Sequence, residues 1–157
     1  MASLVRDAVE AARRADPERD VLVSIGDLAP AAGDPALLRE LVATLIGNAF
    51  AATRACDHPC IDVGSVDADG TPVYYVRDNG AGFDGRQADR LFPAVERLPL
   101  PAEPDGAGLG LGVVQQIVER HGGRVWAEGR AGDGATFFFT LPRAAPRAGI
   151  PAAPIAD

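Results

Sequence analysis

Apolar residues recur at helical spacing at Leu4, Val5, Ala8, Val9 and Ala12, and Ala15-Asp16-Pro17 closes that first amphipathic stretch. From Asp20 to Gly26 the run DVLVSIG alternates as a strand with one or both faces covered, and Pro30 to Gly33 is a turn. Asp34 before Pro35 is an N-cap with proline at the first helical position. Leu37, Leu38, Leu41, Val42, Leu45, Ile46, Ala49 and Phe50 then predict a long helix over about 35–55. Ile61–Val66 and Pro72–Arg77 flank Asp67-Ala68-Asp69-Gly70 and predict a hairpin. The stretch from about Arg86 to Ala107 has one apolar patch, Leu91-Phe92, and four prolines, and reads as a lid. Leu109–His121 reads as a helix ended by Gly122-Gly123, and Arg124–Glu128 with Ala135–Leu141 as a closing hairpin. From Arg143 onward the Ala- and Pro-rich tail lacks a periodic apolar face and is expected to be disordered.

The 157 residues suit one domain, over 1–142, with residues 143–157 as the tail. No apolar run approaches the roughly 20 residues of a membrane span, and Met1–Glu10 lacks the apolar stretch of a secretory signal, so the expected compartment is the cytoplasm. A membrane-anchored parent protein is compatible with that expectation. Fifteen basic residues, all Arg, stand against 22 acidic ones for a net charge of −7, which disfavours nucleic acid or an anionic membrane as partner. The absence of Lys removes any Lys-based phosphate clamp. Cys56 and Cys60, with His58 between them, are too few for a structural zinc site or a disulfide-built fold.

Candidate chemistry lies in three glycine-rich clusters, DNGAGF at 78–83, DGAGLGLG at 105–112 and GDGATF at 132–137. Any one of them is an ordinary turn, but three at strand and helix ends point to a bound polyphosphate or nucleotide. The second runs into a helix, whose free N–H groups and positive dipole end suit phosphate; it lacks the Lys-Ser/Thr of a Walker loop. Asn48, deep in an apolar helix, is either an amide satisfied locally or, beside a phosphate site, a candidate magnesium ligand through its oxygen. Asp78 is either a turn residue or a carboxylate that accepts a hydrogen bond from the exocyclic amine of a base.

The order LRELVATLIGNAFAAT, DNGAGF, LFPAVERL, GAGLGLG and HGGRVWAEGRAGDGATFFFTLP, with Asn48, Asp78 and Gly108 at near 30-residue intervals, resembles the catalytic ATP-binding domain of two-component sensor histidine kinases, most closely the phytochrome-like ones. That domain belongs to the wider group of gyrase B, Hsp90 and the mismatch-repair ATPases. The resemblance covers about Leu4 to Pro142 and implies an α+β two-layer sandwich: a mixed, mostly antiparallel sheet of about five strands with about three helices on one face. It further implies that Asn48 holds Mg²⁺ on the phosphates of ATP. Asp78 would take the adenine amine, with Thr136 helping through a water. Ala52, Gly80, Gly82 and Phe83 would line the base, and Gly106, Ala107, Gly108, Leu109, Gly110 and Leu111 would wrap the phosphates. Phe92 and Arg97 fall in the lid motif, with Arg97 on the γ-phosphate.

Thr44 stands one turn before Asn48 where the wider group carries its water-activating Glu, Ala51 replaces a common phosphate-contacting Lys, and Val95 replaces a lid aromatic. Arg54 on the same helix is a candidate replacement for the lost charge. Neither His58 in CDHPC nor His121 in RHGG has the context of a phospho-accepting histidine; they read as a loop residue and a helix-terminal residue favoured by the dipole. The implied partners are a histidine-bearing dimerisation domain, of the same parent or a separate protein, and a downstream response regulator. The alternatives are a serine kinase of the anti-sigma type and a nucleotide-binding pseudokinase.

Overall fold

The computed structural model describes residues 1–92 and 110–144. Among them the chain runs α1 (Ala2–Ala15), β1 (Leu22–Ile25), α2 (Pro35–Ala52), β2 (Cys60–Ala68), β3 (Thr71–Asp78), a 3₁₀ turn at Gly85–Gln87, α3 (Ala88–Leu91), α4 (Leu111–Arg120), β4 (Val125–Arg130) and β5 (Gly134–Thr140). The strands form one sheet in the order β1-β2-β3-β5-β4. Its β1–β2 pair is parallel and the other three pairs are antiparallel.

α2 is apolar around most of its circumference, the signature of a helix enclosed on several sides. Leu38, Leu41, Val42, Leu45, Ile46, Ala49 and Phe50 are all buried. Each large aliphatic or aromatic side chain of that set contributes roughly 1.5–3 kcal/mol on burial, so α2 anchors the core. Around it gather Val5 and Val9 of α1, Val114, Ile117 and Val118 of α4, and the inward residues Ile61, Val63, Tyr74, Val76 and Phe139 of the sheet. Tyr74 is 1% exposed, stacks on Phe139 at 5.1 Å and donates its hydroxyl to Ala29 O at 2.9 Å. Burial pushes its pKa up to about 12.

Local chemistry sets the boundaries. The Asp34 carboxylate accepts from the N–H groups of Ala36 and Leu37, which starts α2 at Pro35 as its sequence predicts. Asp69 and Gly70, both with positive φ, form the two-residue turn between β2 and β3, and Asp67 accepts from Gly70 N–H at 2.7 Å. α4 begins at Leu111, two residues later than expected, because Gly110 at φ 93° precedes it as the N-cap. Arg143 and Ala144, assigned to the tail, are bonded to the domain. Arg143 bridges with Ala31 and pairs with Asp67 at 3.3 Å, and Ala144 N–H donates to Pro30 O. Residues 145–157 lie outside the described residues, as does the proposed lid beyond Phe92.

Candidate functional site

One stripe of α2 stays out of the core. Thr44, Asn48 and Ala52 follow one another at successive turns and are half-buried, between the core-facing residues and the exposed Ala43, Gly47 and Ala51. Each end of that stripe meets a glycine. At its C-terminal end Ala52 O accepts Ala81 N–H at 3.1 Å, and a Cβ on Gly80 would collide with the same carbonyl. Two turns earlier, a Cβ on Gly110 would lie 2.6 Å from Thr44 Cγ2. Gly110 therefore needs its missing side chain twice, for the positive φ and for the contact.

Asp78 ends β3, directly beside the Gly80 end of the stripe. It is only 5% exposed, and no ion pair among the described residues includes it. Gly80 N–H donates to its Oδ1 at 2.8 Å. Burial raises its pKa above the usual 3.8, against the lowering effect of the Gly80 and Ala135 N–H groups. A buried carboxylate with only local amide partners has lone-pair capacity left for an amine, and a carboxylate perturbed in this way is a candidate for a binding site.

The loop that follows is stitched on both sides. Ala81 O accepts Gly132 N–H at 2.7 Å, and Gly82 lies against Arg130 O at the β4–β5 turn. Phe83 packs over Gly129, where a Cβ would come within 2.6 Å of its ring, and sits 6.4 Å from Phe137. Phe92 meets Phe137 edge-on at 6.2 Å, so the start of the expected lid is seated on β5.

Asn79, absent from the expected site, clamps this loop. Its Nδ2 donates to His58 O and its Oδ1 accepts from Cys60 N–H, both at 2.8 Å, while Cys56 Sγ donates to Asn79 O at 3.2 Å. The Asn-Gly pair reads locally as a turn, and only the neighbouring residues 56–60 reveal the clamp. Both cysteines are free thiols. No cluster of three or more His, Cys, Asp or Glu forms a metal site among the described residues.

The structure thus gathers Asp78, Gly80, Gly82 and Phe83 at the Ala52 end of the open α2 stripe and Gly110 at its Thr44 end, with Asn48 between them, while the side chain of Leu111 is buried in the core. Among the described residues no side chain caps α4, and the first-turn N–H groups of a helix are a place where an anion can bind. Thr136 is a correction. It pairs with Arg77, whereas Ala135 pairs with Asp78, and strand alternation turns Thr136 to the opposite sheet face. Arg97, Gly106, Ala107, Gly108 and Leu109 lie outside the described residues.

A family model described as histidine kinase-, DNA gyrase B-, and HSP90-like ATPase matches residues 33–145. The chain belongs to this family. It is 40% identical over 105 residues to cyanobacterial phytochrome A of Nostoc sp., which covers 67% of this chain and 14% of that protein. Against the methanogenesis regulatory histidine kinase FilI of Methanothrix harundinacea it is 33% identical over 140 residues, 88% of this chain and 16% of that protein. The chain thus spans about one sixth of the length of these relatives. Among solved structures, a mycobacterial sensor histidine kinase, MprB, aligns with a TM-score of 0.74 at 22% identity, covering 93% of this chain and 96% of that one. Full-length ShkA in complex with AMPPNP aligns with a TM-score of 0.73 at 28% identity, covering 92% of this chain and 30% of that one. The chain is an ATP-binding catalytic domain of the histidine kinase type, in the expected α+β sandwich. No helix among its described residues is long and apolar enough to cross a membrane.

Proposed function

We propose that this domain holds Mg-ATP along the open stripe of α2 and presents the γ-phosphoryl group to a histidine on a separate helical domain, in two-component signalling. One observation supports the reading: the buried Asp78 and the start of α4, which no described side chain caps, flank the same helix, at Ala52 and at Thr44. Those positions are about 12 Å apart along the helix axis, a span that suits a nucleoside triphosphate from ring amine to phosphates. The AMPPNP found in the related ShkA structure supports the same choice of nucleotide.

Asp78 accepts a hydrogen bond from the exocyclic amine and orients the ring against the Gly80–Phe83 loop. The first-turn N–H groups of α4 donate to phosphate oxygens at the positive end of the helix dipole. Asn48, half-buried midway between the two ends, fits magnesium: its amide oxygen is a hard neutral donor, and the remaining coordination sites suit water and phosphate. The bound ion would neutralise phosphate charge during transfer. Thr44 offers no carboxylate to activate water at its place on α2, which favours transfer over hydrolysis. The nucleophile comes from the partner. His121 has both ring nitrogens engaged within the domain, at Ile117 O and Asp34 N–H.

The partner imidazole forms an N–P bond as the bond from γ-phosphorus to the bridging oxygen breaks, and ADP leaves. The domain is accordingly mixed with γ-labelled ATP, Mg²⁺ and a histidine-bearing dimerisation domain from a related kinase. The reading expects label on that histidine, in an acid-labile linkage. Label on serine would indicate the serine kinase instead, and tight nucleotide binding with no transfer to any histidine domain would indicate a pseudokinase.

A further inference from the structure

His121 lies at the end of α4 remote from Gly110, and it makes a directional contact between α4 and the start of α2. Its Nδ1 lies 2.7 Å from Ile117 O, one turn back on α4, and its Nε2 accepts the backbone N–H of Asp34, the N-cap of α2, at 3.0 Å. These two bonds assign the ring proton to Nδ1, because a carbonyl needs a donor and an N–H needs an acceptor. The ring is tightly seated as well. A Cβ on Gly33 would come within 2.8 Å of His121 Cδ2 and Nε2.

The other end of α4 meets α2 at Gly110 and Thr44. Asp34 and Thr44 are separated by about 15 Å of helical rise, and Gly110 and His121 by about 16 Å. The two helices therefore run antiparallel with matched ends. Between those ends lie apolar residues, Leu38 and Leu41 on one helix and Val114, Ile117 and Val118 on the other. Apolar packing is non-directional and specifies axial register weakly, whereas a hydrogen bond to a backbone N–H specifies it sharply.

We infer that His121 locks the register of α4 along α2, and is thereby a positioning residue that sets where the phosphate-facing start of α4 stands relative to Thr44 and Asn48. The inference rests on the open stripe of α2 being the nucleotide site. It adds a consequence: the lock acts on the phosphate end and leaves the Asp78 end, built on β3 and the C-terminus of α2, unaffected.

The test compares His121→Asn with His121→Gln by calorimetry with Mg-ATP and with adenosine, alongside thermal unfolding. Asn retains a donor for Ile117 O but is too short for Asp34, while Gln places an oxygen near the Nε2 position. We expect His121→Asn to bind ATP roughly fivefold more weakly, as for one lost hydrogen bond, with adenosine affinity unchanged, and His121→Gln to restore ATP binding. Equal weakening for ATP and adenosine, or a lower melting temperature with ATP affinity intact, overturns the lock. Should His121→Asn not fold, Gly33→Ala, which crowds the ring without removing it, must give the same ATP-selective loss, and its absence overturns the lock too. A wild-type protein that binds no ATP would instead refute the nucleotide site itself.

Discussion

Asp78 and Ala135 stand opposite one another across β3 and β5, while Thr136 stands opposite Arg77. Beside the small methyl group of Ala135, the Asp78 carboxylate is 5% exposed and, among the described residues, is bonded to nearby backbone amides. That arrangement costs folding stability at neutral pH and provides an unsaturated acceptor, a trade expected at a functional site.

Asp78→Asn separates the two effects. Because the folded-state pKa is raised above 3.8, this group favours the folded state below the unfolded pKa, and the benefit is lost as pH rises through the folded value. Removing the charge is expected to leave the melting temperature at pH 7 unchanged or higher. ATP affinity is expected to fall roughly 10- to 100-fold, the value of a hydrogen bond to a charged group. Wild-type ATP binding should weaken as acidification protonates Asp78, with no matching step in the variant. Calorimetry across that pH range reads both effects.

Asn48→Ala is expected to reduce the gain in ATP affinity that Mg²⁺ provides over EDTA several-fold, while metal-free binding changes little. Asn48→Asp, which keeps an oxygen at the same place, should retain most of the gain. An equal Mg²⁺ gain in wild type and Asn48→Ala would remove Asn48 from the metal.

Gly110→Ala places a Cβ at φ 93° and against Thr44 Cγ2. The expected cost is about 1–3 kcal/mol in urea unfolding. Adding Thr44→Ser removes the obstructing methyl and should recover the packing part of the loss but not the backbone part, so the two changes are non-additive. Strict additivity would mean that the contact is slack.

Asn79→Ala strips the clamp from residues 56–60. A loss of about 1–2 kcal/mol is expected, together with faster alkylation of Cys56, whose Sγ bonds Asn79 O. An unchanged alkylation rate would show that the loop holds its shape without Asn79.

Much of this architecture was legible in local pattern. The Asp34-Pro35 start and the dense apolar content identified α2, and the Asp-Gly turn identified the β2–β3 hairpin, because caps and turns are decided by neighbours in sequence. What escaped depends on distant partners. The face taken by Thr136 follows from which residue of β3 it pairs with, and alternation alone does not specify that. Arg143 is held by Asp67, 76 positions earlier, which no local composition signals. The helix after the second glycine cluster starts at Leu111, since Gly110, which lies against Thr44 of α2, adopts a left-handed conformation. His121 was placed correctly at a helix end, but its bond to Asp34 spans 87 positions.

The proposed nucleotide site is tested most directly by titrating the isotope-labelled domain with Mg-AMPPNP and following each backbone amide by NMR. The account predicts shifts concentrated in three separate stretches, Thr44–Ala52, Asp78–Phe83 and Gly110–Val113. Shifts confined to other regions, or none at saturating nucleotide, would contradict it.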